Sequence, residues 1–155
     1  MSPWEPPQFS PPIRGIVVGH DGSPAADDAL RWAIEEARLR HCPLHVVRAW
    51  VLATAIRDTG VPYGTVPSME ECQRATEQHL AEAVAAVDTT GVEVHQHVVH
   101  GPSAQALMAA ATDADLLVVG ERGGGGFAGL RLGSVAEQVS RHAPCTVVVV
   151  RAAGG

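Results

Sequence analysis

The stretch at residues 116–135 places a glycine-rich loop between an apolar run and the start of a helix. The run Leu-Leu-Val-Val that opens it has the length and composition of a buried strand. Ser134 and Glu137 lie three positions apart, a capping-box pattern that predicts a helix beginning at the serine. A helix N-terminus attracts anions, and glycines let the backbone approach a ligand closely. The stretch therefore predicts a phosphate-binding loop, because a plain surface loop would leave the strand and the cap unexplained.

The rest of the chain alternates between apolar runs of strand length and amphipathic segments of helical length. Predicted strands cover residues 13–19, 44–51, 92–100, 115–120 and 145–151, and predicted helices cover 24–40, 68–87, 103–112 and 134–142. Strands that alternate with helices favour an α/β fold with a parallel sheet. In such a sheet, ligands bind beyond the carboxyl ends of the strands, where the strand order reverses.

The spacing of Gly120, Gly123 and the pair Gly133-Ser134 resembles the nucleotide-binding motif of the universal stress protein family. The resemblance covers residues 13–151. It implies a Rossmann-like, five-stranded parallel sheet of order 3-2-1-4-5, with helices on both faces, in one domain at residues 13–155. Strands one and four are then neighbours, and the loops that follow them meet over one crevice.

The resemblance also implies a site for an adenine nucleotide. Asp21 is expected to contact the nucleoside, with a simple turn role as the alternative, and Gly19 is expected to allow close approach of the base. The backbone at Ala49 is expected to recognise adenine. The ribose and phosphates are expected to contact Gly120, Gly123, Gly124, Gly125, Gly126, Gly133, Ser134 and Val135.

Three positions depart from the family pattern. His20 replaces a typically apolar residue, Glu121 follows Gly120 where a small residue is usual, and Gly125 stands where many relatives carry a basic residue. The last two weaken the attraction for phosphate. The side chains of Arg122 and Arg131 either neutralise the charge of the phosphates or are solvated at the surface.

The composition excludes several function classes. All eleven basic residues are arginine, so chemistry that needs a lysine, such as a Walker lysine or a Schiff base, is excluded. A net charge of −6 argues against a nucleic-acid or membrane partner. The three cysteines are widely spaced and form no disulfide pattern, and no signal peptide is evident, which together predict a cytoplasmic protein.

Two segments are expected to be mobile. The proline-rich residues 1–12 predict a disordered arm, and the long loop at residues 52–67 predicts a lid or a plain mobile loop.

The histidines of strand three do not form a clear set of metal ligands. His95 and His97 share one face of the strand, but His100 is off that alternation. We therefore expect solvent-facing histidines and no metal site.

The leading functional hypothesis is an ATP-binding regulatory module of the stress response, with or without Mg²⁺ and with little or no catalysis. The alternatives are a sensor that binds cyclic AMP and, less favoured because lysine is missing, an adenylyl-transfer enzyme. Strand 145–151 is apolar on both faces yet lies at the sheet edge, which predicts a homodimer through that strand. Protein partners of unknown identity are expected to respond to nucleotide occupancy.

Overall fold

The computed structural model describes residues 3–122 and 132–151. Their strands are β1 (Ile16–Gly19), β2 (Leu44–Trp50), β3 (Val94–His100), β4 (Leu116–Gly120) and β5 (Thr146–Val150). These strands form one sheet of order β3-β2-β1-β4-β5, and every neighbouring pair is parallel. The predicted order 3-2-1-4-5 is confirmed. The order reverses between β1 and β4, which is where the loops after these two strands meet.

Helices cover both faces of this sheet, as predicted. They are α1 (Pro24–Arg40), α2 (Leu52–Ala55), α3 (Met69–Ala85), α4 (Ser103–Ala110) and α5 (Ser134–His142), with a 3-10 turn at Ile56–Asp58. Along β1, Ile16 and Val18 pack in the core formed with α1 and α3, whereas Val17 packs in the core formed with α4 and α5. Both faces of the central strands are therefore buried.

The connection from β1 to α1 consists of four residues, 20–23. Ser23 caps α1 by accepting a hydrogen bond at its Oγ from the Ala26 amide at 3.2 Å, and Pro24 occupies the first helical position. The helix ends at His41, whose left-handed backbone has a φ of 54°. Residues 20–23 are thus held between a buried strand and a capped helix.

Two predicted strands are too long by two or more residues at their amino-terminal ends, and the predicted strands at 115–120 and 145–151 each begin one residue early. β1 begins at Ile16 and not at residue 13, because Gly15 has a φ of +89° and its Cα faces the carbonyl oxygen of Pro43. A Cβ at Gly15 would lie 2.5 Å from that oxygen, so the chain makes a glycine-dependent turn there. β3 begins at Val94 and not at residue 92.

The segment at residues 52–67 is partly helical, and the prediction of a wholly irregular loop is wrong there. α2 and the 3-10 turn form its first half because Ala55 is buried beside Trp50 and Cys72. Asp58 then pairs with Arg48, with 3.3 Å between Oδ2 and Nη2. These contacts connect the start of the segment to β2, and its role as a lid stays a prediction.

The described part of the proline-rich arm, residues 3–12, forms neither helix nor strand but contacts β3 through two aromatic side chains. Trp4 donates a hydrogen bond from Nε1 to the His100 carbonyl at 2.9 Å. Phe9 meets the ring of His97 edge-on, with 5.6 Å between the ring centroids. The expected disorder of the arm stays a prediction, but these contacts give the arm a defined docking position.

Gly101→Ala is expected to displace Trp4 from that position. Gly101 has a φ of +151°, and a Cβ there would lie 2.4 Å from the Trp4 Nε1. We expect Trp4 fluorescence to become more accessible to a soluble quencher, with the signal of Trp4 assigned by subtracting a Trp4→Phe variant.

The matched control is Gly91→Ala. Gly91 also has a positive φ, of +78°, but among the described residues no heavy atom lies within 4 Å of a Cβ built on it. Both variants carry the backbone strain of about 1–3 kcal/mol. If Gly91→Ala exposes Trp4 as much as Gly101→Ala does, the contact between Trp4 and Gly101 does not hold the arm.

A membrane-spanning helix is not found in the described ranges, where every helix is too short or too polar to cross a bilayer.

Candidate functional site

A cavity of about 90 Å³ lies beyond the carboxyl ends of β1 and β4, at the reversal of strand order. Five residues predicted for the nucleotide site line it: Gly19, Asp21, Ala49, Gly120 and Val135. They come from β1, the loop after β1, β2, β4 and α5, which shows that the fold brings together what the sequence separates. Gly123, Gly124, Gly125 and Gly126 lie outside the described residues.

The β1 side of the cavity is a tight loop. Asp21 accepts a hydrogen bond at Oδ1 from the Ser23 amide at 2.9 Å, which is the turn-forming role considered for it. Asp21 also lines the cavity, so the turn and a contact with a ligand are compatible. Gly19 has a packing reason to be glycine, because a Cβ there would lie 2.7 Å from Cδ1 of Leu107 on α4.

The β4 side is held by backbone contacts at both ends of the glycine-rich loop. A Cβ on Gly120 would lie 2.9 Å from the Ala25 carbonyl oxygen, so this position needs glycine for the approach of α1. The Glu121 amide donates to the Val150 carbonyl, and the Gly133 amide donates to the Glu121 carbonyl, both at 2.8 Å. The two ends of the glycine-rich loop therefore lie side by side at Glu121.

The start of α5 differs from the prediction by one residue. Gly133 has an extended backbone and is the N-cap, whereas Ser134 is the first helical residue, and in the described chain no side chain caps this helix. The expected capping box is wrong because Ser134 Oγ accepts from Gln138 at 3.1 Å and Glu137 pairs with Arg141 at 3.0 Å. A serine whose backbone angles are helical already lies inside the helix and cannot be the N-cap of that helix.

This shift leaves the first turn of α5 beside the cavity. Val135 and Ala136 line it, whereas Gly133 and Ser134 are not among its described lining residues. The first amides of any helix have no carbonyl acceptor within the helix, so the wall formed by α5 suits an anion. Nucleotide contacts of Gly133 and Ser134 stay predictions.

Sequence reasoning did not assign several residues that line the cavity. Ser103 and Leu107 of α4 are among them, and no local pattern points to them because only the sheet topology brings α4 over β1 and β2. Arg122, which was ambiguous between phosphate binding and solvation, lines the cavity. The lining residues outside the predicted set are His20, Ala26, Val47, Ser103, Leu107, Val119, Arg122 and Ala136.

A histidine cluster lies away from this cavity, on β2 and β3. His45 Nδ1 and His97 Nε2 share a hydrogen bond of 2.9 Å, and the ring of His45 also stacks on His95 with 4.7 Å between centroids. His97 is half-buried under Phe9, so the expectation that it faces solvent is wrong, whereas His95 is exposed and bonds Glu93 at 2.9 Å. Within the ranges that the structure describes, no group of three histidine, cysteine or acidic residues is arranged to hold a metal ion.

The cluster predicts a loss of stability in acid. Burial, followed by the charges of His97 and His95, lowers the pKa of His45 to about 4. The unfolded chain therefore takes up a proton at this residue at a higher pH than the folded chain, so the free energy of unfolding falls as the pH drops from about 6.5 towards about 4. Burial also lowers the pKa of His97, in the same direction.

Urea unfolding over this pH range measures the effect. His45→Gln, which removes the half-buried imidazole, is expected to make the dependence on pH shallower. His142→Gln on α5 removes an exposed histidine and is the control. Parallel stability curves for the wild-type protein and His45→Gln would contradict the assignment.

Comparisons with known proteins agree on one family. The model of the universal stress protein family matches residues 12–151. Universal stress protein Rv2623 of Mycobacterium tuberculosis is 36% identical over 142 residues, which cover 88% of this chain and 47% of that protein. The chain therefore spans about half the length of the curated relatives it matches.

Solved structures show the same fold. A universal stress protein in complex with cAMP superimposes with a TM-score of 0.62 and 26% identity, covering 90% of this chain and 98% of that one. The universal stress protein from Archaeoglobus fulgidus in complex with dAMP gives a TM-score of 0.60 and 28% identity, covering 88% and 97%. The matched family model, the relatives and the sheet order show that this chain belongs to the universal stress protein family.

Proposed function

We propose that this chain is a regulatory module that binds ATP, with little or no catalysis. The observation that carries the proposal is the cavity between the Asp21 loop and the start of α5, at the reversal of strand order. Two similar solved structures, at 26% and 28% identity, carry cAMP and dAMP. Both ligands contain adenine, a pentose sugar and phosphate, so they support an adenine nucleotide as the ligand class.

The cavity has the chemistry to hold the nucleoside part. Val47, Leu107 and Val119 give it apolar walls, which suit the faces of a base. Asp21 at the mouth offers a carboxylate that accepts hydrogen bonds from ribose hydroxyls or from the adenine amino group. The backbone beside Ala49 supplies the remaining donor and acceptor that an adenine edge requires.

The phosphates would lie between Arg122 and the first turn of α5. Arg122 brings a permanent positive charge, and the α5 amides add the favourable end of a helix dipole. The predicted contacts of Gly123, Gly124, Gly125 and Gly126 would complete this part of the site. Because Glu121 places an acidic side chain next to Gly120, Mg²⁺ is expected to strengthen ATP binding by offsetting negative charge.

Calorimetric titration with ATP, ADP, AMP and cyclic AMP, each with and without Mg²⁺, tests the proposal. We expect ATP to bind more tightly than AMP, because only ATP extends its phosphates to Arg122 and α5. Arg122→Gln should reduce that difference while leaving AMP binding nearly unchanged. A protein that binds none of the four nucleotides is not a nucleotide-binding module.

Cyclic AMP is the second candidate ligand, and the similar structure in complex with cAMP favours it. Tighter binding of cyclic AMP than of ATP in the same titration would replace the proposed ligand. The near absence of catalysis is tested by phosphate release from ATP, and adenylyl transfer by pyrophosphate release with candidate acids. Multiple turnovers in either assay would make the protein an enzyme.

We further propose a homodimer through residues 145–151, acting in the cytoplasm with protein partners that respond to nucleotide occupancy. In the described part of the chain, β4 is the one strand that pairs with β5. The four consecutive valines of β5 are half-buried, and its outer edge offers backbone groups for a second strand. A two-fold pairing of β5 with its copy would use these groups.

A further inference from the structure

The loop between β1 and α1 contains a buried histidine that separates two cavities. The side chain of His20 is 1% exposed. On one side it lines the nucleotide cavity, and on the other it lines a polar cleft of about 330 Å³ beside α3. A buried polar ring at such a place must have its hydrogen bonds satisfied within the protein.

The hydrogen bonds of His20 identify its tautomer. The Gly22 amide lies 3.1 Å from Nδ1 and can only donate, so Nδ1 carries a lone pair. The ring proton is therefore on Nε2, which donates to Asp27 Oδ1 at 2.8 Å. A neutral imidazole with this tautomer satisfies both partners at once.

These bonds hold the residues on both sides of Asp21. The His20 amide donates to the Val47 carbonyl at 3.0 Å, which fixes the start of the loop to β2. Gly22 has a φ of +87°. A Cβ built on it would lie 3.4 Å from the guanidinium of Arg48, so the loop packs against that side chain. The bond from the Gly22 amide to His20 keeps the backbone in this conformation.

Two side-chain bonds of the same kind follow each other in the loop. His20 Nδ1 accepts from the amide two residues later, and Asp21 Oδ1 accepts from the Ser23 amide, also two residues later. The first bond sets the backbone angles on which the position of Asp21 depends. Loss of the first bond removes one restraint on the Gly22 backbone, so the adjacent Asp21 is held less firmly at the cavity wall.

We propose that His20 is a positioning residue for the nucleotide, whose Nδ1 lone pair holds the Gly22 amide and thereby keeps Asp21 at the cavity wall. The role rests on the proposed function, because Asp21 matters to affinity only if a nucleoside binds there. An apolar side chain at position 20 would offer no acceptor to the Gly22 amide.

The test compares His20→Asn with His20→Gln. Asparagine carries an amide oxygen at the position of Nδ1 and keeps the acceptor for Gly22, whereas glutamine reaches Asp27 but loses that acceptor. The Asp27 side chain is 41% exposed, so water replaces its lost partner in His20→Asn. A hydrogen bond typically changes an equilibrium constant by about three- to tenfold.

We expect His20→Asn to bind ATP within about threefold of the wild-type protein, and His20→Gln to bind roughly tenfold more weakly, at neutral pH. Retained affinity in His20→Asn together with lost affinity in His20→Gln would show that the acceptor for the Gly22 amide, and not packing at this position, supports binding. Thermal unfolding of each variant confirms that it is folded.

The tautomer has its own measurement, which needs neither a substitution nor a ligand. Nitrogen-15 spectra of the histidine rings at neutral pH should show His20 protonated at Nε2 alone. A proton at Nδ1 would overturn the proposal, as would equal affinities for ATP in the wild-type protein, His20→Asn and His20→Gln. Absence of nucleotide binding by the wild-type protein would overturn the proposed function and this role with it.

Discussion

Ala49→Phe is expected to abolish nucleotide binding, with a loss of affinity of at least about 100-fold, equivalent to about 2.7 kcal/mol. Ala49 is half-buried on β2 and lines the cavity, which measures about 90 Å³. A phenyl ring at this position would fill the space that a base requires. It would also push a base away from the β2 backbone, where recognition of adenine is predicted.

The fold should tolerate this change because the side chain enters a cavity and does not displace packed atoms. We therefore expect the melting temperature to stay near the wild-type value while the calorimetric signal for ATP is lost. Ala81→Phe, at an exposed position on α3, introduces the same side chain elsewhere and should bind ATP normally. Normal ATP binding by folded Ala49→Phe would show that the nucleotide binds elsewhere.

Val149→Pro is expected to convert a dimer into a folded monomer. The Glu121 amide donates to the Val150 carbonyl, so the backbone groups of Val150 face β4. Successive residues of a strand direct these groups to opposite sides, and those of Val149 therefore face the free edge of β5. Proline at Val149 removes an N–H that only a second chain would use.

Val148→Pro is the matched control, because the backbone groups of Val148 face β4. Proline there removes a hydrogen bond of the protein's own sheet and is expected to destabilise the fold itself. Light scattering at micromolar concentration should give twice the monomer mass of 16.2 kDa for the wild-type protein and the monomer mass for Val149→Pro. A wild-type monomer, or an unchanged dimer in folded Val149→Pro, would contradict pairing through this strand.

The sequence was most informative where local pattern and topology rules act together. Apolar runs of strand length alternate with amphipathic segments, and the loop after Gly120 resembles a known family, so the strand order followed. The helix start at Ser134 was misplaced because two adjacent residues are both acceptable N-caps. Gly133 takes the extended conformation, and the capping pattern alone does not distinguish it from the serine.

Other features depend on contacts between residues that are far apart in the chain. Leu107 approaches Gly19 across the face of the sheet, at 2.7 Å from a Cβ built there, and no periodicity reveals that distance. The helical turns after residue 51 exist because Ala55 is buried beside Trp50 and Cys72. The sequence shows a histidine at position 20, but the tautomer of His20 follows only from the positions of Gly22 and Asp27.

The pairing of β1 with β4 has a consequence for how this chain reaches its native state. Ile16 pairs with Leu116, and Val17 with Leu117, so the centre of the sheet joins residues one hundred positions apart. Closing so long a segment costs conformational entropy before the contacts form, and such topologies fold slowly. The cavity spans these two strands, which means that a growing chain acquires it only after β4 has been synthesised and inserted. A ligand bound there selectively stabilises the fully assembled sheet over any partly folded form.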